Sequence, residues 1–269
     1  MTPIYQIHVL HFGDFDEVDY TLVAHHYKPG TNTTVPIYGY LITGENIAPI
    51  LVDTGINEDF LDAANSHGVK IIAGPDNTLR AQLEKHGYSL DDIGYIIHTH
   101  VHFDHAGNDH LLPNAKIIVP RGEMMCAASG LMGGSYSPDD VAYLIHQIYV
   151  PGRVKFFDED IQLAPGIDLI LTQGHTSDSA FVKVNTKGGI ASIVGDIVYN
   201  IELSTGCGDD FFARRKEERY ALEDFNPKPT GTIWSLRGSL AAIQKVMRES
   251  DIVLPAHDPV VVKRYGYVL

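Results

Sequence analysis

The stretch His98-Thr99-His100-Val101-His102-Phe103-Asp104-His105 puts four histidines into eight residues, where 14 in 269 would place about 0.4. Within it, His100-X-His102-X-Asp104-His105 supplies three imidazoles and a carboxylate. Those are donors that a borderline divalent ion such as zinc takes. Two apart on an extended segment, His100 and His102 project to the same side. Asp104 and His105, in the turn that follows, face a second ion. His175 in Gly174-His175-Thr176, Asp196 in Val194-Gly195-Asp196 and His257 in Ala256-His257-Asp258 stand alone in the chain. Taken singly, each reads as a capping or structural residue. Beside the cluster, they complete three ligands for each of two ions and one bridging carboxylate.

These residues need rigid elements to bring them together. Asp53, the His100 cluster, Asp196 and His257 each follow a short apolar stretch: Ile50-Leu51-Val52, Tyr95-Ile96-Ile97, 190–194 and Ile252-Val253-Leu254. Apolar runs of this length, rich in β-branched residues, read as buried strands. Further strands are expected at 4–10, 36–43, 115–119, 154–157, 167–172 and 180–184. Helices are expected at 57–66 and at 78–86, the latter closed by Gly87. The 123–150 segment reads as a helical excursion interrupted by Gly133-Gly134 and Pro138. The 201–226 segment is polar and loop-like, and its charged run Arg214-Arg215-Lys216-Glu217-Glu218-Arg219 reads as a solvated helix face. A helix at 232–249 is expected to bury Ile233, Leu236, Leu240, Ile243 and Met247. Strands in two runs with helices between and after them predict a sheet-on-sheet core flanked by helices. With no linker or internal repeat, residues 1–269 are expected to form one domain, with a helical cap at about 121–150.

Composition narrows the function classes. Lys and Arg number 20 against 34 Asp and Glu, a formal net charge of −14. Such a chain does not suit a phosphate backbone or an anionic membrane surface, both of which bind through Lys and Arg. Two cysteines, Cys126 and Cys207, exclude a disulfide scaffold and a thiolate-built zinc site. No run approaches 18 apolar residues, and Met1 to His8 has no basic start or long apolar stretch. A cytoplasmic protein is expected.

The order of the motifs resembles the metallo-β-lactamase fold superfamily: Asp53-Thr54-Gly55, the His-X-His-X-Asp-His block, then His175, Asp196 and His257. The resemblance runs over nearly the whole chain. It implies an α/β (α+β) fold, a four-layer αβ/βα sandwich with a two-metal site at one edge. It also implies that His100, His102 and His175 hold one ion and Asp104, His105 and His257 the other. Asp196 bridges them, and Asp53 orients a ligand from behind. His98 falls outside the ligand pattern and is read as a supporting residue.

Two ions bridged by Asp196 and a water favour hydrolysis, because such a water loses its proton near neutral pH. His102 argues against the oxygen-reducing di-iron branch, which typically has Glu there. The absence of a secretion signal argues against a periplasmic lactamase, and length and charge leave no place for an RNA-cutting insert. The block 99–108, with Phe103 as a substrate-contacting residue, is similar to the N-acyl-homoserine lactonases and related quorum-quenching lactonases. Tyr199, three residues after Asp196, matches their tyrosine, and with Asp104 it is the expected catalytic pair. The resemblance therefore implies a dinuclear zinc hydrolase that opens a lactone ring. A thioesterase of the hydroxyacylglutathione type, or another ester or amide hydrolase of the same fold, is the alternative. The partner expected is a small-molecule lactone or ester, with no nucleic acid and no membrane; a homo-oligomer is left open. One departure stands out: the family commonly continues Thr-Pro-Gly-His where this chain has Thr176-Ser177-Asp178-Ser179. Met124, Met125, Leu131, Met132 and Tyr136 are candidates for an acyl channel or, alternatively, for core.

Overall fold

The computed structural model describes residues 2–58, 70–131, 133–206, 218 and 227–269. Among these, one sheet is built from β1 (Gln6–Asp19), β2 (Asn32–Thr43), β3 (Ile50–Val52), β4 (Lys70–Ile72), β5 (Tyr95–Ile97), β6 (Lys116–Pro120) and β7 (Val154–Phe157). Its strand order is β4-β1-β2-β3-β5-β6-β7. The second sheet holds β8 (Ile161–Ala164), β9 (Ile167–Leu171), β10 (Ala180–Thr186), β11 (Gly189–Gly195) and β12 (Ile252–Pro255), in the order β12-β11-β10-β9-β8.

Alternation along the strands explains why the sheets stack. Successive side chains of a strand point to opposite faces, and here both faces are apolar. In β2, Tyr38, Tyr40 and Ile42 enter one core while Val35, Ile37 and Leu41 enter another. The first core also receives Leu169 of β9, Val182 and Val184 of β10 and Ile193 of β11, so it fills the space between the sheets. The second core is closed by helices α1 (Leu79–Glu84), α2 (Arg121–Ser129) and α3 (Pro138–Ile148), through Leu79, Leu83, Met124, Val141 and Leu144. Phe181 and Val194, on the far face of the second sheet, meet helix α4 (Leu236–Glu249). The result is the αβ/βα sandwich.

The strand expectations hold, with additions. β1 runs nine residues past the expected end, to Asp19, pairing with β2 through two register shifts. β4 and β8 were not expected; each is only three or four residues long and half-exposed, which leaves little apolar pattern to read. α4 begins at Leu236, with the Ser235 side chain accepting from Gly238 N, rather than at 232. Its buried face is Ser239, Ala242, Ile243, Val246 and Met247, whereas Leu236 is exposed and Ile233 precedes the helix. Ile243 and Met247 are buried as expected; the rest of the face is Ala242 and Val246, which pack on the second sheet, and Ser239, which abuts Gly174. Burying Ile243, Val246 and Met247 contributes about 1.5–3 kcal/mol each. The helix expected at 57–66 and the charged run at 214–219 lie almost wholly outside the described residues. No described helix is long and apolar enough to cross a membrane.

Candidate metal centre

β3 and β5 run parallel, as do β11 and β12. Asp53, His98 to His100, Asp196 and His257 leave the same ends of these strands, and backbone hydrogen bonds fasten the exits together. Asp53 N donates to Ile97 O at 3.0 Å, and Ala180 N donates to Thr99 O at 2.7 Å. Tyr38 N donates to Ala256 O at 2.9 Å, tying the first sheet to the loop that carries His257. Glycines precede two of the site residues for a steric reason. Gly174 and Gly195 have φ of 149° and 49°, and a Cβ on either would collide with Ser239 or Thr99 respectively. L-residues with a side chain are strained in this region.

Seven of the sequence-predicted residues meet in two groups, and all seven are buried: His100, His102, His175 and Asp196 form one, and Asp104, His105 and His257 the other. Asp196 stands between them. Its Oδ2 lies 3.2 Å from His175 Nε2 and 3.6 Å from His100 Nε2. Its Oδ1 lies 3.1 Å from His105 Nε2 and 3.2 Å from His257 Nε2. Asp104 Oδ2 faces His257 Nε2 at 3.3 Å and His105 Nε2 at 3.5 Å. His102 turns Nδ1 toward His175 Nε2 at 3.2 Å.

The far ring nitrogens are held from behind. His105 Nδ1 meets Asp53 Oδ2 at 2.8 Å, His257 Nδ1 meets Pro36 O at 2.7 Å, and His175 Nδ1 meets Thr232 O at 3.1 Å. Such partners fix the ring and raise its basicity. His100 Nδ1 lies 3.1 Å from Thr99 Oγ1, and that hydroxyl donates to Asp53 at 2.7 Å. Asp53 lies behind the His105 and His100 rings. His98 is also behind them, its Nε2 2.8 Å from Asp109 Oδ2.

Charge is distributed accordingly. Burial alone would raise the Asp196 carboxyl, but His105, His257, His175 and His100 together hold it well below the usual carboxylate range. Burial opposes a charged His257, yet Asp196 and Asp104 outweigh it and lift its pKa to about 9. His100, by contrast, is pushed down to about 4 by burial and by His105. Tyr199 is pushed well above its ordinary range by burial, then by Asp196 and Asp104, so it stays a phenol able to donate. Its ring centroid is 4.5 Å from that of His257. Phe103 is half-buried and meets Phe15 edge-on at 5.9 Å, and Phe15 lies 5.8 Å from the His257 ring.

The donors fit divalent ions. His100 Nε2, His105 Nε2, His257 Nε2 and both Asp196 oxygens are buried with no hydrogen-bond partner. Buried polar atoms are almost always satisfied, and nitrogen with carboxylate oxygen is a donor set for zinc and similar ions. The groups form a dinuclear-type site.

A family model, the metallo-beta-lactamase superfamily, matches residues 32–257. The chain belongs to the metallo-beta-lactamase superfamily. Among superfamily relatives, an N-acyl homoserine lactonase from a Bacillus species is 27% identical over 252 residues, 90% of this chain and 88% of that protein. The N-acyl homoserine lactonase AiiA of Bacillus thuringiensis subsp. kurstaki is 30% identical over 182 residues, 64% of this chain and 68% of its own. A solved N-acyl homoserine lactone hydrolase, with N-hexanoyl-L-homoserine at its catalytic metal centre, matches with a TM-score of 0.75. That match has 24% identity and covers 98% of this chain and 96% of the other. At that identity the structural likeness speaks for the superfamily fold, and this chain is a metal-dependent hydrolase of that superfamily.

Sequence reasoning missed several supports of the site: Thr99, the Pro36 and Thr232 carbonyls, and Asp109. Backbone carbonyls leave no signal in a sequence, and single acidic or hydroxyl residues have none until the fold places them. Of the acyl-channel candidates, Met125 and Leu131 are exposed on the outside, while Met124 and Tyr136 belong to the core under the first sheet. Met132 lies outside the described residues.

Proposed function

We propose that the protein is a dinuclear zinc lactonase that opens N-acyl-homoserine lactones or related lactones to hydroxy acids. The observation that carries this reading is the position of Asp196, one oxygen toward each histidine group, with the Tyr199 phenol beside His257. His100, His102 and His175 would hold one ion, Asp104, His105 and His257 the other, with Asp196 common to both. Two such ions supply Lewis acidity, polarising a carbonyl and making water acidic near neutral pH.

The chain's own groups do the rest. Asp104 accepts the proton of the attacking water as its oxygen bonds to the lactone carbonyl carbon. It returns that proton to the ring oxygen as the carbon–oxygen bond breaks, so the product is the substrate plus one water. Tyr199 donates to the carbonyl oxygen as negative charge gathers there. Phe103, half-buried against Phe15, offers the substrate an apolar surface. Asp53 keeps His105 oriented. The 121–150 segment, as part of a single domain, supports the floor beneath His102.

Mass spectrometry of the zinc-loaded protein's products from a lactone, a thioester and a β-lactam tests the reading. A hydroxy acid from the lactone, at a rate far above those for the other two, is the expected result. Faster release of thiol from the thioester would replace the lactonase reading with the thioesterase one.

A further inference from the structure

Glu123, in α2, is fully buried, and the proposed reaction gives it no task. A buried carboxyl is costly unless its oxygens are engaged. Its Oε1 accepts from Val101 N at 3.2 Å, between His100 and His102, and from the Tyr136 hydroxyl at 3.1 Å. The Tyr136 ring in turn meets the His102 ring edge-on, with centroids 5.0 Å apart. Its Oε2 is buried without a hydrogen-bond partner, as is the hydroxyl of Thr176, the residue after His175.

The segment at 176–178 is where this chain departs from the turn common in the superfamily. Here it docks on the start of α2. The Ser177 hydroxyl donates to Gly122 O at 3.4 Å, and Asp178 packs so closely on Gly122 that a Cβ there would collide with its carboxylate. The loop bearing His102 and the loop bearing His175 are otherwise separate in sequence and come from different sheets. Both meet the residues 122–123.

We propose that Glu123 is a positioning residue in a clasp in which α2 holds the His100–His102 segment through Glu123 and the Ser177–Asp178 turn through Gly122, keeping His102 and His175 in register for one ion. This rests on the reading that His100, His102 and His175 bind that ion together.

The test is Co2+ titration of the intact protein against a competing chelator, which reads ion binding without any substrate. Glu123→Ala is expected to weaken one of the two ions about tenfold or more, the scale of lost outer partners, and to leave the other unchanged. In a His257→Ala background the remaining ion is expected to be weakened as well; in a His175→Ala background Glu123→Ala is expected to have no further effect. Glu123→Gln, which keeps an acceptor oxygen, is expected to restore binding. Tyr136→Phe, which keeps the ring beside His102 but removes the hydroxyl that donates to Glu123 Oε1, is expected to weaken the same ion, and it decides the matter should Glu123→Ala fail to fold. Wild-type affinity for both ions in Glu123→Ala, or in Tyr136→Phe where it stands alone, would overturn the clasp. Failure of the lactonase reading would instead appear as two tightly bound ions with no ring opening.

Discussion

His105 reaches the Asp196 carboxylate through one nitrogen and Asp53 through the other: Nε2 lies 3.1 Å from Asp196 Oδ1, and Nδ1 lies 2.8 Å from Asp53 Oδ2. Asp53 itself sits at φ 60°, where few residues other than glycine, asparagine and aspartate rest easily. Burial would raise its carboxyl, but His105 first, then His98 and His100, hold it below the usual carboxylate range.

Asp53→Asn keeps the backbone preference and volume but weakens the pairing with His105 Nδ1. It is expected to lower the affinity for the ion at Asp104, His105 and His257 about 10- to 100-fold. Chelator competition measures this. An unchanged affinity would remove Asp53 from the support of that site.

Asp196→Asn replaces one bridging oxygen with an amide that donates rather than accepts. The protein is expected to retain fewer than two zinc ions per chain after dialysis, as read by elemental analysis, and to lose ring-opening activity. Two retained ions would mean that the carboxylate does not bridge.

Tyr199→Phe removes only a hydroxyl from a half-buried ring. It is expected to lower kcat about 100-fold, the scale of losing one donor to a developing oxyanion, with metal content unchanged. Steady-state kinetics on a lactone checks it; a change confined to KM would make Tyr199 a binding residue.

Asp140 provides a pH-dependent test away from the centre. Burial raises its pKa to about 6, although Asn57 donates to Oδ1 at 2.9 Å. The N-terminal turn of α3 favours a negative charge, worth about 0.3–1 kcal/mol, and the raised pKa says that burial outweighs it. The folded form therefore binds its proton more tightly than the unfolded chain, whose aspartate has a pKa near 3.8. Stability from this group is full below that value and is lost as pH rises through about 6. Asp140→Asn is expected to match the wild-type Tm at pH 4 and to exceed it above pH 6. A difference independent of pH would contradict the assignment.

The candidate metal-binding groups were legible because ligands must be particular residue types, and four histidines in eight residues are not produced by packing. His175, Asp196 and His257 became legible only through position, each past the end of a strand. Short apolar runs such as Ile50-Leu51-Val52 marked the inner strands. The face of α4 was only partly legible: Ile243 and Met247 are buried as their spacing suggests, but Ser239 and Ala242 carry no hydrophobic signal, whereas Leu236, which does, is exposed. Glu123 was invisible for a related reason: a lone glutamate in a helix reads as surface until its helix is packed against the His102 and His175 loops.

The most direct measurement is ring opening of an N-acyl-homoserine lactone by the metal-free protein titrated with zinc, followed by proton release and product mass. The account predicts that activity rises to its maximum at two zinc ions per chain and that the product is the lactone plus one water. A protein that binds two zinc ions and leaves the lactone intact would contradict it.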